Sequence, residues 1–104
     1  MPAVVLVFTT IPETFDASVP LRALVEAGHA ACVSVLPVME STYRWQGSIE
    51  TARERQVLFK TTAERVAGLE AAVQAWHPYD VPEWLVVPVA DGSHAYLQWI
   101  ATGA

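Results

Sequence analysis

Ala30-Ala31-Cys32-Val33-Ser34-Val35-Leu36-Pro37, continuing through Ser41-Thr42-Tyr43-Arg44-Trp45 into Gln46-Gly47-Ser48-Ile49, is the stretch on which the fold turns. It reads as one long strand, about 29 to 45, and its reversal. Tyr43 and Trp45 stand two apart and so share a face of that strand. Gln46-Gly47-Ser48 supplies the residues that a hairpin turn requires. The returning strand, about 48 to 60, carries Arg53, Glu54, Arg55 and Gln56 and then Val57, Leu58, Phe59 and Lys60. Both strands far exceed the typical length of about five or six residues, so the hairpin should project beyond a domain of this size. Projecting edges that bear tyrosine and tryptophan call for a partner.

The flanking segments complete the order. The apolar Ala3 to Phe8 run lacks a basic flank and is far too short to span a membrane, so it reads as a buried strand over 3 to 9. A helix follows at about 18 to 27. Proline inside a helix costs roughly 3 kcal/mol, which places Pro20 in the opening turn near Ser18, the alternative being a kink. Over 62 to 76, Val66, Leu69, Val73 and Trp76 recur at three and four residues and form one apolar helical face, which leaves Glu64, Arg65 and Glu70 free to face water. Trp84 to Ala90 is apolar without alternation, which is how a strand covered on both faces reads. Ser93 is placed to cap a last helix over 93 to 101. The predicted fold is α+β, a ferredoxin-like β-α-β-β-α-β sandwich with both helices on one side of an antiparallel sheet, a long central hairpin and a short C-terminal helix.

Between the second helix and the last strand lies His77-Pro78-Tyr79-Asp80-Val81-Pro82-Glu83. Each proline fixes its own φ and biases its predecessor away from the α region, so His77 and Val81 should be extended and the segment stiff. An imidazole, a phenol and two carboxylates are then held in nearly fixed directions. A rigid connection with solvated acids is the plain reading of such a segment, and a binding site is the other.

Composition narrows the function. The chain has 104 residues, 53% of them hydrophobic, which suits one domain over 1–104 with a real core. Its net charge of −5 repels nucleic acid and anionic membranes while leaving cation binding open. One cysteine permits no intrachain disulfide, and a reducing, cytoplasmic setting is the simpler expectation. The sequence carries no Ser-His-Asp ordering with an oxyanion element, no glycine-rich phosphate loop and no Cys-His motif, so no enzyme is predicted.

Taken together, the Ala30-Ala31-Cys32-Val33 strand, the hairpin with Ser41, Tyr43, Trp45, Gly47 and Ile49, Glu54 followed by Lys60-Thr61, the 77–83 segment, and Gly92 with Tyr96-Leu97 and Trp99 resemble the CutA divalent-cation tolerance family over nearly the whole chain. The chain departs from that family at Asp80, where Glu is usual, at Trp84, where an aliphatic residue is usual, at Ser34, where Asn is usual, and at Ser18-Val19-Pro20 in the first helix. The resemblance implies a homotrimer in which neighbouring hairpins extend each other's sheets, and a link to tolerance of divalent metals, copper especially. It answers both the overlong hairpin and the strand that needs cover on two faces.

Tyr43, Trp45, Glu54, Lys60, His77, Tyr79, Pro82, Glu83 and Tyr96 are the expected ligand or intersubunit cleft. The expected metal set is His77 with Asp80 and Glu83, with Cys32 a further candidate although its place in an apolar strand suits a small hydrophobe. One imidazole and two carboxylates fall short of a closed site, so copper(II) or another divalent ion would be shared with a neighbouring subunit or water. No cofactor is required. The alternative function is a small-ligand sensor or signalling protein of the trimeric ferredoxin-like type that uses the intersubunit cleft.

Overall fold

The computed structural model describes residues 2–102. The single-domain expectation for 1–104 extends over Met1, Gly103 and Ala104, which lie outside the described residues. The order is β1 (Val4–Pro12), α1 (Ser18–Glu26), β2 (Cys32–Trp45), β3 (Ser48–Thr62), α2 (Val66–Gln74) led in by a 3-10 turn at Ala63–Arg65, β4 (Leu85–Pro88) and α3 (His94–Thr102). The strands pair in the order β2-β3-β1-β4, antiparallel throughout, which is the ferredoxin-like arrangement that the sequence predicts.

Strand periodicity builds the core. Val5, Val7, Thr9 and Ile11 of β1 alternate with residues on its other face, and Val57 and Phe59 of β3 lie beside them. Leu21 and Leu24 of α1 and Leu69 and Val73 of α2 complete one apolar cluster with Val5, Val7, Ile11, Val57 and Phe59. Phe59, Val57, Val7 and Leu69 are fully buried. Trp84 packs against this cluster with its ring 6.2 Å from Phe59, and its indole N–H is buried without a partner.

α1 begins where Pro20 allows. Asp16 Oδ1 accepts the Ser18 amide at 3.0 Å and its hydroxyl at 2.7 Å, turning the chain into the helix. Pro20 is the third helical residue, where a helix has no use for an amide proton. At the other end of the chain, Ser93 Oγ accepts the Tyr96 amide as a cap should.

The hairpin has two features that matter for the site. Its turn is a two-residue loop in which Gln46 (φ 49°) and Gly47 (φ 83°) both lie in the left-handed region, the type I′ geometry whose twist matches the strands. Lower down, β2 is not continuous in register. Val35 pairs with Val57 and Val38 with Arg55, so Leu36 and Pro37 together oppose Gln56. This bulge reverses the parity of β2. Below it Val33 and Val35 share the helix-covered face with Val57 and Phe59, and above it Met39, Ser41, Tyr43 and Trp45 share the open face with Glu54 and Glu50. Without the extra residue, Tyr43 and Trp45 would point to the helix side.

Three expectations need correction. The strand read over 84 to 90 is only Leu85–Pro88, at the edge of the sheet; Leu85, Val86 and Val87 are 57%, 42% and 41% exposed, so this chain supplies no cover for them. The helix read over 62 to 76 is shorter, because Thr62 is still extended (ψ 156°) and a 3-10 turn intervenes. Arg65 does not turn to water: its guanidinium donates to the carbonyls of Ile100 at 3.4 Å and Ala101 at 3.0 Å, clipping the end of α3.

Candidate functional site

On the open face, the hairpin and the segment between α2 and β4 enclose an open cavity of about 620 Å³. Its floor is the parity-shifted hairpin, with Met39, Ser41, Tyr43 and Trp45 of β2 and Glu50, Glu54 and Gln56 of β3. Thr10 of β1, paired with Gln56, extends that floor. The opposite wall is Tyr79 to Glu83.

The wall is stiff for reasons beyond its prolines. His77 Nδ1 accepts the Tyr79 amide at 3.1 Å, so Nε2 carries the proton and donates to the Thr10 carbonyl at 2.7 Å. Phe15, Trp76, His77 and Tyr79 form a run of neighbouring rings, with centroids 5.6, 6.0 and 5.1 Å apart in that order. Tyr79 Oη then donates to Glu54 Oε2 at 2.6 Å, tying wall to floor. Burial, and next the Glu54 carboxylate that accepts its proton, push the Tyr79 phenol well above its ordinary value. A second tie is Gln56, whose side-chain amide donates to the Thr9 carbonyl at 2.7 Å and to Glu83 Oε2 at 2.6 Å.

Of the nine residues expected in the cleft, Tyr43, Trp45, Glu54, Tyr79, Pro82 and Glu83 line the cavity. His77 stands behind Tyr79 and holds it. Lys60 and Tyr96 are elsewhere: Lys60 shares the open face but lies four residues along β3 from Gln56, about 13 Å at about 3.3 Å per residue, where its Nζ donates to Tyr96 Oη at 2.9 Å. That bond raises the Lys60 pKa, and the Tyr96 ring stacks on Trp99 at 5.6 Å. The cavity also takes in Gln56, Met39 and Glu50, which the sequence does not place in a cleft. Gln56 and Glu50 could have been found by period-two spacing from Glu54, and Met39 only through the bulge.

The expected metal set is not gathered. Among the described residues, no group of three His, Cys, Asp or Glu side chains is placed to hold a metal ion. Both ring nitrogens of His77 are occupied by protein groups, which leaves no lone pair for an ion. Asp80 is exposed and Glu83 is bound to Gln56. Cys32 is half-buried in β2, opposite Lys60 and away from the cavity, with Sγ 4.0 Å from Ser34 Oγ.

Fold and site therefore define a class: a ferredoxin-like sheet that carries an acidic, aromatic-edged cleft on the face its two crossover helices leave open. Residues 5–103 match the family described as CutA1 divalent ion tolerance protein, and the chain belongs to that family. It is 42% identical over 95 residues to the divalent-cation tolerance protein CutA of Thermus thermophilus, covering 91% of this chain and 92% of that one. The crystal structure of CutA from Xylella fastidiosa superposes with a TM-score of 0.89 at 46% identity, covering 96% of each chain. A structure described as the periplasmic divalent cation tolerance protein CutA from Archaeoglobus fulgidus superposes with a TM-score of 0.88 at 30% identity, covering 96% of this chain and 97% of that one.

Proposed function

We propose that this protein is a homotrimeric, non-catalytic binding protein whose open-face cleft, completed by a neighbouring copy, holds a small ligand. The cavity is the observation that carries this reading. Its volume of about 620 Å³ falls within the range of about 300–1,000 Å³ usual for small-molecule sites and far exceeds the needs of a bare ion. Its polar groups are carboxylates, hydroxyls and an amide, with no base positioned on a nucleophile, so binding and not bond-making is what the lining suits. No cofactor is needed. The trimer is supported by the uncovered edge strand β4 and by Tyr43 and Trp45 on the projecting hairpin, 41% and 42% exposed in the single chain.

A divalent-metal reading has one observation in its favour, since Asp80 and Glu83 line the same cleft. In that reading the ion, copper(II) included, takes those carboxylates with water or a partner's groups, and His77 stays with the protein. A cytoplasmic location belongs to the proposal on the strength of the single cysteine, with the periplasm as the alternative compartment; fractionation decides it.

A thermal-shift screen of the native assembly against small molecules and divalent ions, with tryptophan emission as a second readout, tests the function. Ligands that bind only the native state raise the melting temperature by mass action. Hits should be lost on Trp45→Ala or Glu83→Gln. A screen without hits, or hits indifferent to those changes, would remove the cleft as the site.

A further inference from the structure

We propose a second ligand site, a pocket on the helix-covered face that takes a small organic acid, one carboxylate on a short apolar body. The pocket has a volume of about 300 Å³ and is walled by the end of β1, the 13–17 loop, the start of α1 and the foot of the hairpin. That volume lies at the lower end of the range of about 300–1,000 Å³ usual for small-molecule sites. Ile11, Val35 and Arg55 of its lining share the face that the helices cover, so it lies across the sheet from the cleft. None of it belongs to the face that a neighbouring copy completes in the proposed trimer.

The floor of this pocket is apolar. Ile11, Ala17 and Leu21 are buried there and Phe15 is half-buried. Val35 is the telling residue, because it faces the helix side with Val57 and Phe59, both fully buried, and yet is itself 43% exposed on the pocket's wall. An apolar occupant takes that surface out of water. The charges select what else the occupant carries. Glu13 Oε2 is held by Arg53 Nε at 2.9 Å, and Asp16 Oδ1 accepts the Ser18 amide and hydroxyl at the start of α1, so both acids of the lining are engaged. Arg55 stands beside Ile11 in the ladder and has no hydrogen bond or ion pair among the described residues. The unspent charge is thus a guanidinium, whose planar fork matches one carboxylate. An ammonium group would meet that guanidinium and the positive end of α1 instead. A polyphosphate would bring more charge than one arginine answers and would face Glu13 and Asp16.

Calorimetric titration of the native assembly with four probes tests this: isocaproate, its uncharged amide isocaproamide, the cation isohexylamine, and acetate, which keeps the carboxylate without the apolar body. Isocaproate should bind, with a change in tryptophan emission because Phe15 stacks on Trp76. The other three should bind at least about tenfold more weakly, since each lacks either the charge-assisted bond or the buried methylenes. Arg55→Gln should weaken isocaproate about tenfold, and Arg55→Lys, which keeps the charge, should weaken it less. Arg55 is exposed, so these changes leave the core intact. Should Arg55→Gln nevertheless fail to fold, Val35→Asp sets a like charge in the apolar lining and should give the same loss. Glu83→Gln, across the sheet in the cleft, should leave isocaproate binding unchanged. Any other probe binding as well as isocaproate overturns the proposal, as does isocaproate binding indifferent to the Arg55 and Val35 substitutions. Binding lost on Glu83→Gln and kept on Arg55→Gln places the acid in the cleft and overturns the second site. Failure of all four probes overturns it too, whatever the cleft is found to hold.

Discussion

Tyr79 and Glu54, 25 residues apart in sequence and 2.6 Å apart in space, are where the loop and the hairpin are fastened together. Tyr79→Phe removes the donor and leaves a buried carboxylate bare, so it should cost about 1–3 kcal/mol in urea denaturation; Glu54→Gln, which can still accept, should cost less. The raised Tyr79 pKa has a definite sign. The folded state holds the proton more tightly than the unfolded chain, so this contribution is complete below the ordinary phenol value of about 10 and is lost as pH rises toward the folded value. Stability should therefore fall on the alkaline side, and Tyr79→Phe should flatten that fall when melting is followed between about pH 9 and 12. Trp84→Phe should be close to neutral, within about 1 kcal/mol, because the lost ring bulk is offset by removal of an unpartnered buried N–H. Residue identity made much of this legible: Tyr79 and Glu54 stood out as polar groups on a stiff segment and a hairpin strand. Their contact did not, since nothing local in a sequence fixes which strand face a distant loop will cross. Lys60 and Tyr96 went astray for the same reason, being true neighbours at the wrong end of the face.

At the scale of elements, chain order and type were readable because hydrophobic period and turn chemistry agree over β1, α1, the hairpin and α2. The bulge at Leu36-Pro37 was not. Pro37 was its one local signal, since proline cannot donate to a ladder and tends to sit at edges and bulges. Reading through it gives a single uninterrupted strand and conceals the change of face that puts Tyr43 and Trp45 beside Glu54. β4 is shorter than the apolar run suggests because its register with β1 ends at Val5–Pro88, with one further bond from the Val89 amide to the Val4 carbonyl at 3.1 Å. The turn supplies a prediction of its own. Gln46 sits at φ 49°, where a long side chain carries a cost that asparagine or glycine largely escapes. Gln46→Asn should raise the melting temperature by an amount equivalent to about 0.5–1 kcal/mol, and Gly47→Ala, at φ 83°, should lower it.

The whole molecule extends over 44 × 28 × 23 Å, drawn out by its hairpin. The exposed edge of β4 and the aromatic pair above the bulge are the surfaces on which the proposed trimer rests. Sedimentation at micromolar concentration should give three chains per particle, and Trp45→Ala should shift the distribution toward monomer, since a large aromatic at an interface centre carries about 2 kcal/mol or more. A stable monomer would sink the trimer. Arg65→Ala should speed amide exchange in α3 alone, because the guanidinium bonds to Ile100 and Ala101 hold that helix's end and touch nothing in the cleft. The parity change at Pro37 also sets a rule for how such an arm can evolve. A single codon gained or lost between Pro37 and Tyr43 would turn the aromatic pair to the far side and empty the cleft in one step, however conservative the neighbouring residues. Codons added in matched pairs at the tip, one to each strand, would lengthen the arm and leave every existing side chain facing where it does now. Insertions and deletions that survive in this arm are therefore expected at Gln46-Gly47, in even numbers, with the segment from the proline upward inherited at constant length.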